Sequence, residues 1–161
     1  MDFEPDEEMV YCGGSGKFCL NLDIDNDSID DFELVYNAYG YLSINYTRYS
    51  KIEPLNKNNY VYRSEALSSD ERNYAEALIS GDTINNNSFW AKLTYLYQYW
   101  RITQMYNDPD TTVTSESHKG YWFDNDDIYV GVKIVKDDKE FFGWIDMRNK
   151  TVRRYAITQP Y

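Results

Sequence analysis

Aspartates alternate with other residues in a short acidic segment near the start of the chain, Leu22-Asp-Ile-Asp-Asn-Asp-Ser-Ile-Asp-Asp-Phe32. Ca²⁺ is a hard cation that takes six to eight oxygen ligands at about 2.3–2.6 Å. Carboxylates spaced by two residues in a tight turn converge on one point, and a cation there removes their mutual repulsion. The spacing therefore predicts a calcium site. Its ligands would be the side chains of Asp23, Asp25, Asp27 and Asp31, the last directly or through water, and the backbone carbonyl of Ile29.

The loop resembles the Asp-x-Asp-x-Asp-Gly-x-x-Asp calcium motif of FG-GAP-type and thrombospondin-type repeats, and also the first nine positions of an EF-hand loop. Ser28 stands where these motifs have glycine, which costs stability if that position needs a positive φ. Leu34 stands where an EF-hand has its bidentate glutamate, so a true EF-hand is excluded. We expect Ile24 and Ile29 to anchor the loop in the core. The alternative is a solvated acidic turn.

Other residues that could bind a cation or act in catalysis give weaker indications of function. Asp124, Asp126 and Asp127 form a second acidic cluster, which suits a second cation site, a loop that partners the first, or a solvated turn. Paired carboxylates also serve glycosidases. His118 lies in a polar segment with no nucleophile motif beside it, and we expect an exposed loop histidine. The sequence predicts no catalytic residue.

Cys12 and Cys19 flank a glycine-rich segment, Gly-Gly-Ser-Gly-Lys-Phe. A disulfide would close this loop if the protein is exported. Two free thiols or a metal pair are the alternatives, but zinc is disfavoured because His118 is the only histidine and no further cysteine exists.

Three C-terminal segments and one central segment carry a wider resemblance. They are Tyr129-Val-Gly-Val-Lys-Ile-Val, Phe141-Phe-Gly-Trp-Ile-Asp-Met, Arg154-Tyr-Ala-Ile and Ser80-Gly-Asp-Thr-Ile84. Together with the alternating aspartates, they resemble uncharacterised secreted or lipid-anchored proteins of Bacteroidetes bacteria. The resemblance leaves out residues 47–80. It implies a location outside the cytoplasm, where millimolar calcium would fill a weak site.

The elements that position these residues are predicted to be strands. Short stretches rich in aromatic and β-branched residues, separated by turn residues, give the following candidates: Phe18–Leu22, Phe32–Tyr36, Tyr41–Tyr46, Asn59–Arg63, Ala91–Met105, Ile128–Val135, Lys139–Met147 and Thr151–Ile157. Residues 37–40 read as a hairpin connection, and Asp137-Asp138 as a turn. One short helix is expected from Ser68, as its cap, through Ile79.

Long helical periodicity is absent, so we predict a mainly β fold, an antiparallel β-sandwich or barrel-like single domain with at most one or two short helices. The domain would span residues 11–161 after a disordered polar leader at residues 1–10. That leader is either the native start or what remains after removal of an export signal.

Net charge and aromatic content limit which classes of partner the chain could bind. The chain of 161 residues has a net charge of -11, which disfavours nucleic acid as a partner. No stretch approaches the ~20 apolar residues of a membrane span. Seventeen tyrosines fit a tyrosine-rich sheet. Trp90, Trp100 and Trp122 are the candidates for contact with a glycan or protein, whereas Trp144 is assigned to the core.

These observations favour a non-catalytic, extracytoplasmic, calcium-binding β domain that is secreted or lipid-anchored and contacts a glycan or protein. One alternative is a hydrolase that uses loop carboxylates. Another is a cytoplasmic acidic interaction protein, such as an immunity-type partner of a basic toxin.

Overall fold

A computed structural model of the chain describes residues 2–3, 7–14, 16–41, 45–63, 74–85, 88–92, 94–105, 112–120, 129–148 and 151–158. The described residues form thirteen strands. In chain order they are β1 (Asp2–Phe3), β2 (Glu7–Glu8), β3 (Val10–Gly13), β4 (Lys17–Leu22), β5 (Phe32–Tyr41), β6 (Asn45–Pro54), β7 (Tyr60–Tyr62), β8 (Trp90–Ala91), β9 (Thr94–Met105), β10 (Thr112–Lys119), β11 (Tyr129–Lys136), β12 (Lys139–Arg148) and β13 (Thr151–Ile157).

Two antiparallel sheets pack against each other. Sheet A has the spatial order β1-β13-β12-β11-β7-β8, and β2 pairs with the same strand as β1, β13. Sheet B has the order β10-β9-β6-β5-β4-β3. The sheets enclose one apolar core and do not close into a barrel. The described residues contain no helix, so the predicted antiparallel β-sandwich is confirmed.

Alternation along the strands builds the core. In β11, Val130, Val132 and Ile134 are buried, and the residues between them point to the opposite face of sheet A, as the pleat of a strand requires. Sheet B supplies Phe32 and Leu34 from β5 in the same way. The core side chains with no exposed surface come from both sheets, from the loop after β4 and from the segment at residues 74–78. They are Ile24, Phe32, Leu34, Ile52, Val61, Ala75, Val130, Val132, Ile145 and Val152.

The C-terminal meander was predicted almost residue by residue. The strands β11 and β12 meet at Asp137 and Asp138, whose φ angles are 51° and 59°. Two consecutive positive φ angles are typical of the two-residue hairpin turn that matches strand twist. Between β12 and β13 the register shifts at Asp146 and Met147, which leaves Arg153 as the extra residue of a β-bulge.

Three local predictions were wrong. Residues 37–40 lie inside β5, where Tyr39 pairs with Thr47, rather than in a hairpin connection. Residues 74–79 are not helical, because Tyr74 and Leu78 make bridges to β9 and to the start of β11. These pairings outweigh the local helix preference. The rest of that predicted helix, residues 68–73, lies outside the described residues. The segment that holds His118 forms β10 instead of a loop.

Part of the expected leader belongs to the fold. Strands β1 and β2, within residues 1–10, both pair with β13. Met9 is buried in the core.

A disulfide joins Cys12 in β3 to Cys19 in β4, with the two Cα atoms 5.7 Å apart. It confirms the disulfide among the alternatives left open by the sequence. The bond ties the edge strand of sheet B to its neighbour, so β3 is held covalently as well as by backbone hydrogen bonds.

We predict that loss of this disulfide lowers the free energy of unfolding by about 2 kcal/mol, because the oxidised unfolded chain already has a short closed loop. Thermal melts of wild type and of the Cys12→Ser/Cys19→Ser variant, each with and without reductant, measure the effect. Reductant should lower the Tm of wild type only. An equal response of both proteins would contradict the prediction.

Candidate metal centre

The acidic loop connects β4 to β5 at one end of sheet B. The N–H of Asp31 donates to the carbonyl of Leu22 at 2.7 Å and closes the loop at its base. Ile24 is fully buried in the core, as expected. Ile29 is 63% exposed, so its predicted anchoring role was wrong. A single isoleucine therefore fixes the loop to the core.

Carboxylates shape the backbone of the loop. The two oxygens of Asp23 accept hydrogen bonds from the N–H groups of Asp27 at 3.1 Å and Ser28 at 2.7 Å. Asp27 Oδ1 accepts from the N–H of Ile29 at 2.9 Å. Ser28 has a φ of 71°, so the position where related motifs have glycine does adopt the left-handed conformation. The bond to Asp23 compensates this strain.

The structure brings together three of the predicted ligands, Asp23, Asp25 and Asp27. One carboxylate oxygen from each lies within 4.8 Å of the other two. Two oxygens on opposite sides of one Ca²⁺, each at about 2.4 Å, lie about 4.8 Å apart, so one ion could contact all three. The Oδ1 atom of Asp25 is buried and accepts no hydrogen bond from the described residues. A buried anionic oxygen without a donor is costly unless a cation satisfies it.

Lys136, the last residue of β11, reaches the same cluster from sheet A. Its Nζ donates to Oδ2 of Asp25 at 3.0 Å and to Oδ2 of Asp27. The two carboxylates raise the pKa of Lys136 well above its ordinary value. The Lys136 hydrogen bond in turn lowers the pKa of Asp27, with a smaller contribution from the N–H of Ile29. The protein thus places its own cation beside the triad.

Asp31 has a different set of contacts. Its side chain is buried, and Oδ2 accepts from the N–H groups of Ile24 at 2.9 Å and Asp25 at 3.4 Å. Oδ1 accepts from Nδ2 of Asn59 at 2.9 Å. Burial raises the pKa of Asp31, against the opposing effect of these donors. Asp31 therefore connects the acidic loop to the turn before β7 through its hydrogen bonds. Its role as a ligand, like that of the Ile29 carbonyl, stays a prediction.

Sequence reasoning missed Lys136 and Asn59. Lys136 lies 111 residues after Asp25, and Asn59 lies 28 residues after Asp31. Neither residue belongs to a motif. Only the packing of the β11–β12 hairpin and of the 54–59 turn against the loop brings them to the carboxylates.

Two of the predicted aromatic contacts, Trp90 and Trp100, lie in different sheets. Trp90 is half-buried in sheet A, with ring centroids 5.9 Å from Tyr62 and 5.8 Å from Phe142, and Lys133 Nζ lies 5.0 Å from its ring. Trp100 is half-buried in β9 of sheet B. Trp122 lies outside the described residues, as do Asp124, Asp126 and Asp127.

Comparison with known proteins gives no relative: no family model, curated protein or solved structure matches the chain. Across the described parts of the chain, no helix has the length and apolar character needed to cross a membrane. The geometry of the loop is therefore the main observation on which a functional argument can rest.

We predict that Asp27 and Asp31 titrate on opposite sides of the ordinary aspartate pKa of about 3.8. Just below that value the unfolded state binds more protons at Asp27 than the folded state does. The contribution of Asp27 to stability is therefore complete above the ordinary pKa and is lost as pH falls through the lowered pKa of the folded state. Asp31 has the opposite sign, because its ionisation weakens the fold as pH rises through its raised pKa. Carboxyl ¹³C NMR titration in chelator measures both values, and the reverse order would refute the assignment.

We predict that Lys136→Met lowers the Tm in chelator and strengthens calcium binding several-fold. The triad loses its compensating ammonium, and a metal ion no longer competes with it. Lys139→Met is the matched control, because it removes the same charge from an exposed residue that pairs with Lys136 in the same hairpin. Melts and calorimetry on both variants measure the effects. Weaker calcium binding in Lys136→Met than in Lys139→Met would rule out competition.

Proposed function

We propose that this chain is a non-catalytic extracytoplasmic β domain that binds Ca²⁺ through the loop between β4 and β5. The observation that carries the proposal is the triad of Asp23, Asp25 and Asp27, with their oxygens within reach of one ion and one buried oxygen of Asp25 without a donor. Fully exposed carboxylates would be hydrated and would have no need of a cation.

The hydrogen bonds of the loop carboxylates support a metal site over a simple acidic turn. Asp23 and Asp27 accept backbone N–H groups and so hold the loop in a fixed curve before any ion arrives. Each oxygen keeps a second lone pair that is available to a metal. Such preorganisation reduces the conformational entropy that metal binding has to overcome.

Calcium fits this site better than magnesium. Mg²⁺ demands near-ideal octahedral geometry at about 2.0–2.1 Å and gives up water reluctantly. Ca²⁺ accepts six to eight oxygens in irregular arrangements. Three carboxylates on one irregular turn, completed by the Ile29 carbonyl, by Asp31 directly or through water, and by solvent, meet the looser requirement. On ion entry, Ca²⁺ takes over the neutralisation that Lys136 provides.

The proposed location rests on the disulfide. A bond between Cys12 and Cys19 persists in oxidising compartments and is rare in the cytosol. The same location is what the expected resemblance to secreted or lipid-anchored Bacteroidetes proteins would imply. Extracellular calcium is abundant enough to fill a site of modest affinity. The ion would act as a structural brace for the loop, since the ion stabilises the folded state by binding to it alone.

We predict that calcium raises the free energy of unfolding by about 2.7 kcal/mol when its concentration is 100 times the dissociation constant. Asp25→Asn should reduce this gain and weaken calcium binding, because it removes one negative charge from the triad and leaves a neutral amide oxygen as the ligand. Calorimetry and thermal melts in calcium and in chelator measure both. Asp30→Asn is the matched control, because it removes the same charge from an exposed loop position outside the triad.

Full calcium binding by Asp25→Asn, or equal losses in Asp25→Asn and Asp30→Asn, would show that the loop acts only through its overall negative charge. No heat and no shift in Tm for wild type at millimolar calcium would refute the site itself.

A further inference from the structure

A cavity of about 240 Å³ opens on the outer face of sheet A, on the side away from the core, between β11, β12, β13 and the segment at residues 78–84. Its lining residues are Leu78, Ile79, Ser80, Gly81, Asp82, Ile84, Tyr129, Trp144 and Arg154. Sequence reasoning assigned Trp144 to the core. Its neighbour Ile145 points into the core, so strand alternation places Trp144 on the outer face of the sheet.

The floor of the cavity is aromatic. The rings of Tyr129 and Trp144 meet edge to face, with centroids 5.2 Å apart. Both side chains are half-buried, so part of each ring is accessible. Edge-to-face contact is a favoured arrangement of two aromatic rings. The floor of the cavity is therefore a partly exposed aromatic surface.

Gly131 makes room for the wall of the cavity. It lies beside Trp144 in the sheet, and a Cβ on it would meet Leu78 Cδ1 and Tyr62 Cβ at 2.9 Å. Its lack of a side chain lets the 78–84 segment pack directly on the strand. Leu78 and Tyr129 exchange two backbone hydrogen bonds, at 3.0 and 2.8 Å, which fix the segment in place.

Polar groups border the aromatic floor. The Nε and Nη2 atoms of Arg154 donate to one oxygen of the buried Asp146, at 3.1 and 2.9 Å. Nη2 also donates to the hydroxyl of Tyr129 at 3.4 Å. The bulge at Arg153 turns Arg154 toward the outer face while Val152 stays in the core. On the other side of the cavity, Asp82 Oδ2 accepts from the N–H of Ile79 at 2.8 Å.

The charges select the chemistry of the ligand. Asp146 already neutralises Arg154, and the carboxylate of Asp82 repels anions, as does the net charge of -11. A ligand that suits the site is neutral, presents an apolar face to the rings and carries several hydroxyl groups for the polar border. The cavity holds the equivalent of about eight waters at ~30 Å³ each. It is smaller than the pockets that enclose drug-sized ligands.

We propose that this cavity, the Trp144 pocket, binds one neutral sugar residue of a glycan. The C–H face of the pyranose ring stacks on Trp144, and the sugar hydroxyls exchange hydrogen bonds with Arg154 and Asp82. The pocket lies outside the calcium loop and does not depend on the proposed calcium function.

A test uses the methyl glycosides of glucose, galactose, mannose and N-acetylglucosamine as probes, added in chelator to the full chain. The indole N–H signals of the tryptophans are followed by ¹⁵N NMR, and Trp144→Phe assigns the signal of Trp144. At least one glycoside should shift the Trp144 signal saturably in the millimolar range, as expected for so small a ligand. Trp144→Leu removes this signal, so its binding is followed through the backbone amide signals of β11 and β12 and should weaken at least tenfold. Tyr39→Leu, which removes an exposed aromatic ring from sheet B, should leave binding unchanged.

Arg154→Lys gives an independent readout if Trp144→Leu fails to fold. Lysine keeps a positive charge beside Asp146 but loses the planar fork of donors, so affinity should fall while the amide spectrum stays that of a folded chain. Three outcomes would overturn the proposal: no glycoside shifts the Trp144 signal, binding survives both Trp144→Leu and Arg154→Lys, or N-acetyl-tyrosinamide binds in place of every glycoside. The last outcome would assign the pocket to a side chain of a protein partner.

Discussion

Five aspartates lie between β4 and β5, and the structure depends on how their charges are compensated. Backbone N–H groups satisfy both oxygens of Asp23 and one oxygen of Asp27. Lys136 neutralises charge on Asp25 and Asp27. Buried Asp31 depends on Asn59 and on the N–H of Ile24. Without these donors the carboxylates would repel one another and force the loop away from the core.

The compensating groups also join the two sheets. Lys136 belongs to sheet A, and the hydroxyl of Tyr155, on β13 of the same sheet, donates to the carbonyl of Asp23 at 3.3 Å. The loop itself extends from sheet B. The polar contacts therefore close one end of the sandwich where the apolar core ends, with Ile24 as the last fully buried side chain on the loop. A bound ion would strengthen a junction that already exists.

The sequence was sufficient where local rules decide the structure. The meander from Tyr129 to Ile157 follows from alternation and from the Asp137-Asp138 turn, and the triad follows from aspartates at every second position. Sequence reasoning failed where distant pairing decides. Leu78 becomes extended because β11 offers it hydrogen-bond partners, and Lys136 reaches the loop because of hairpin packing. Asp31 shows the same limit, because its hydrogen bond with Asn59 depends on packing that its spacing in the loop does not reveal.

The β-bulge in β13 connects the two proposed sites. Without the extra residue at Arg153, strict alternation from the core residue Val152 would place Arg154 in the core and Tyr155 on the outer face. With it, Tyr155 packs against the core and reaches the acidic loop, while Arg154 reaches Asp146 and the cavity. Bulges that redirect side chains are common beside functional sites. One irregularity in one strand thus sets the contacts of both the acidic loop and the Trp144 pocket, and removing Arg153 should disturb the two together.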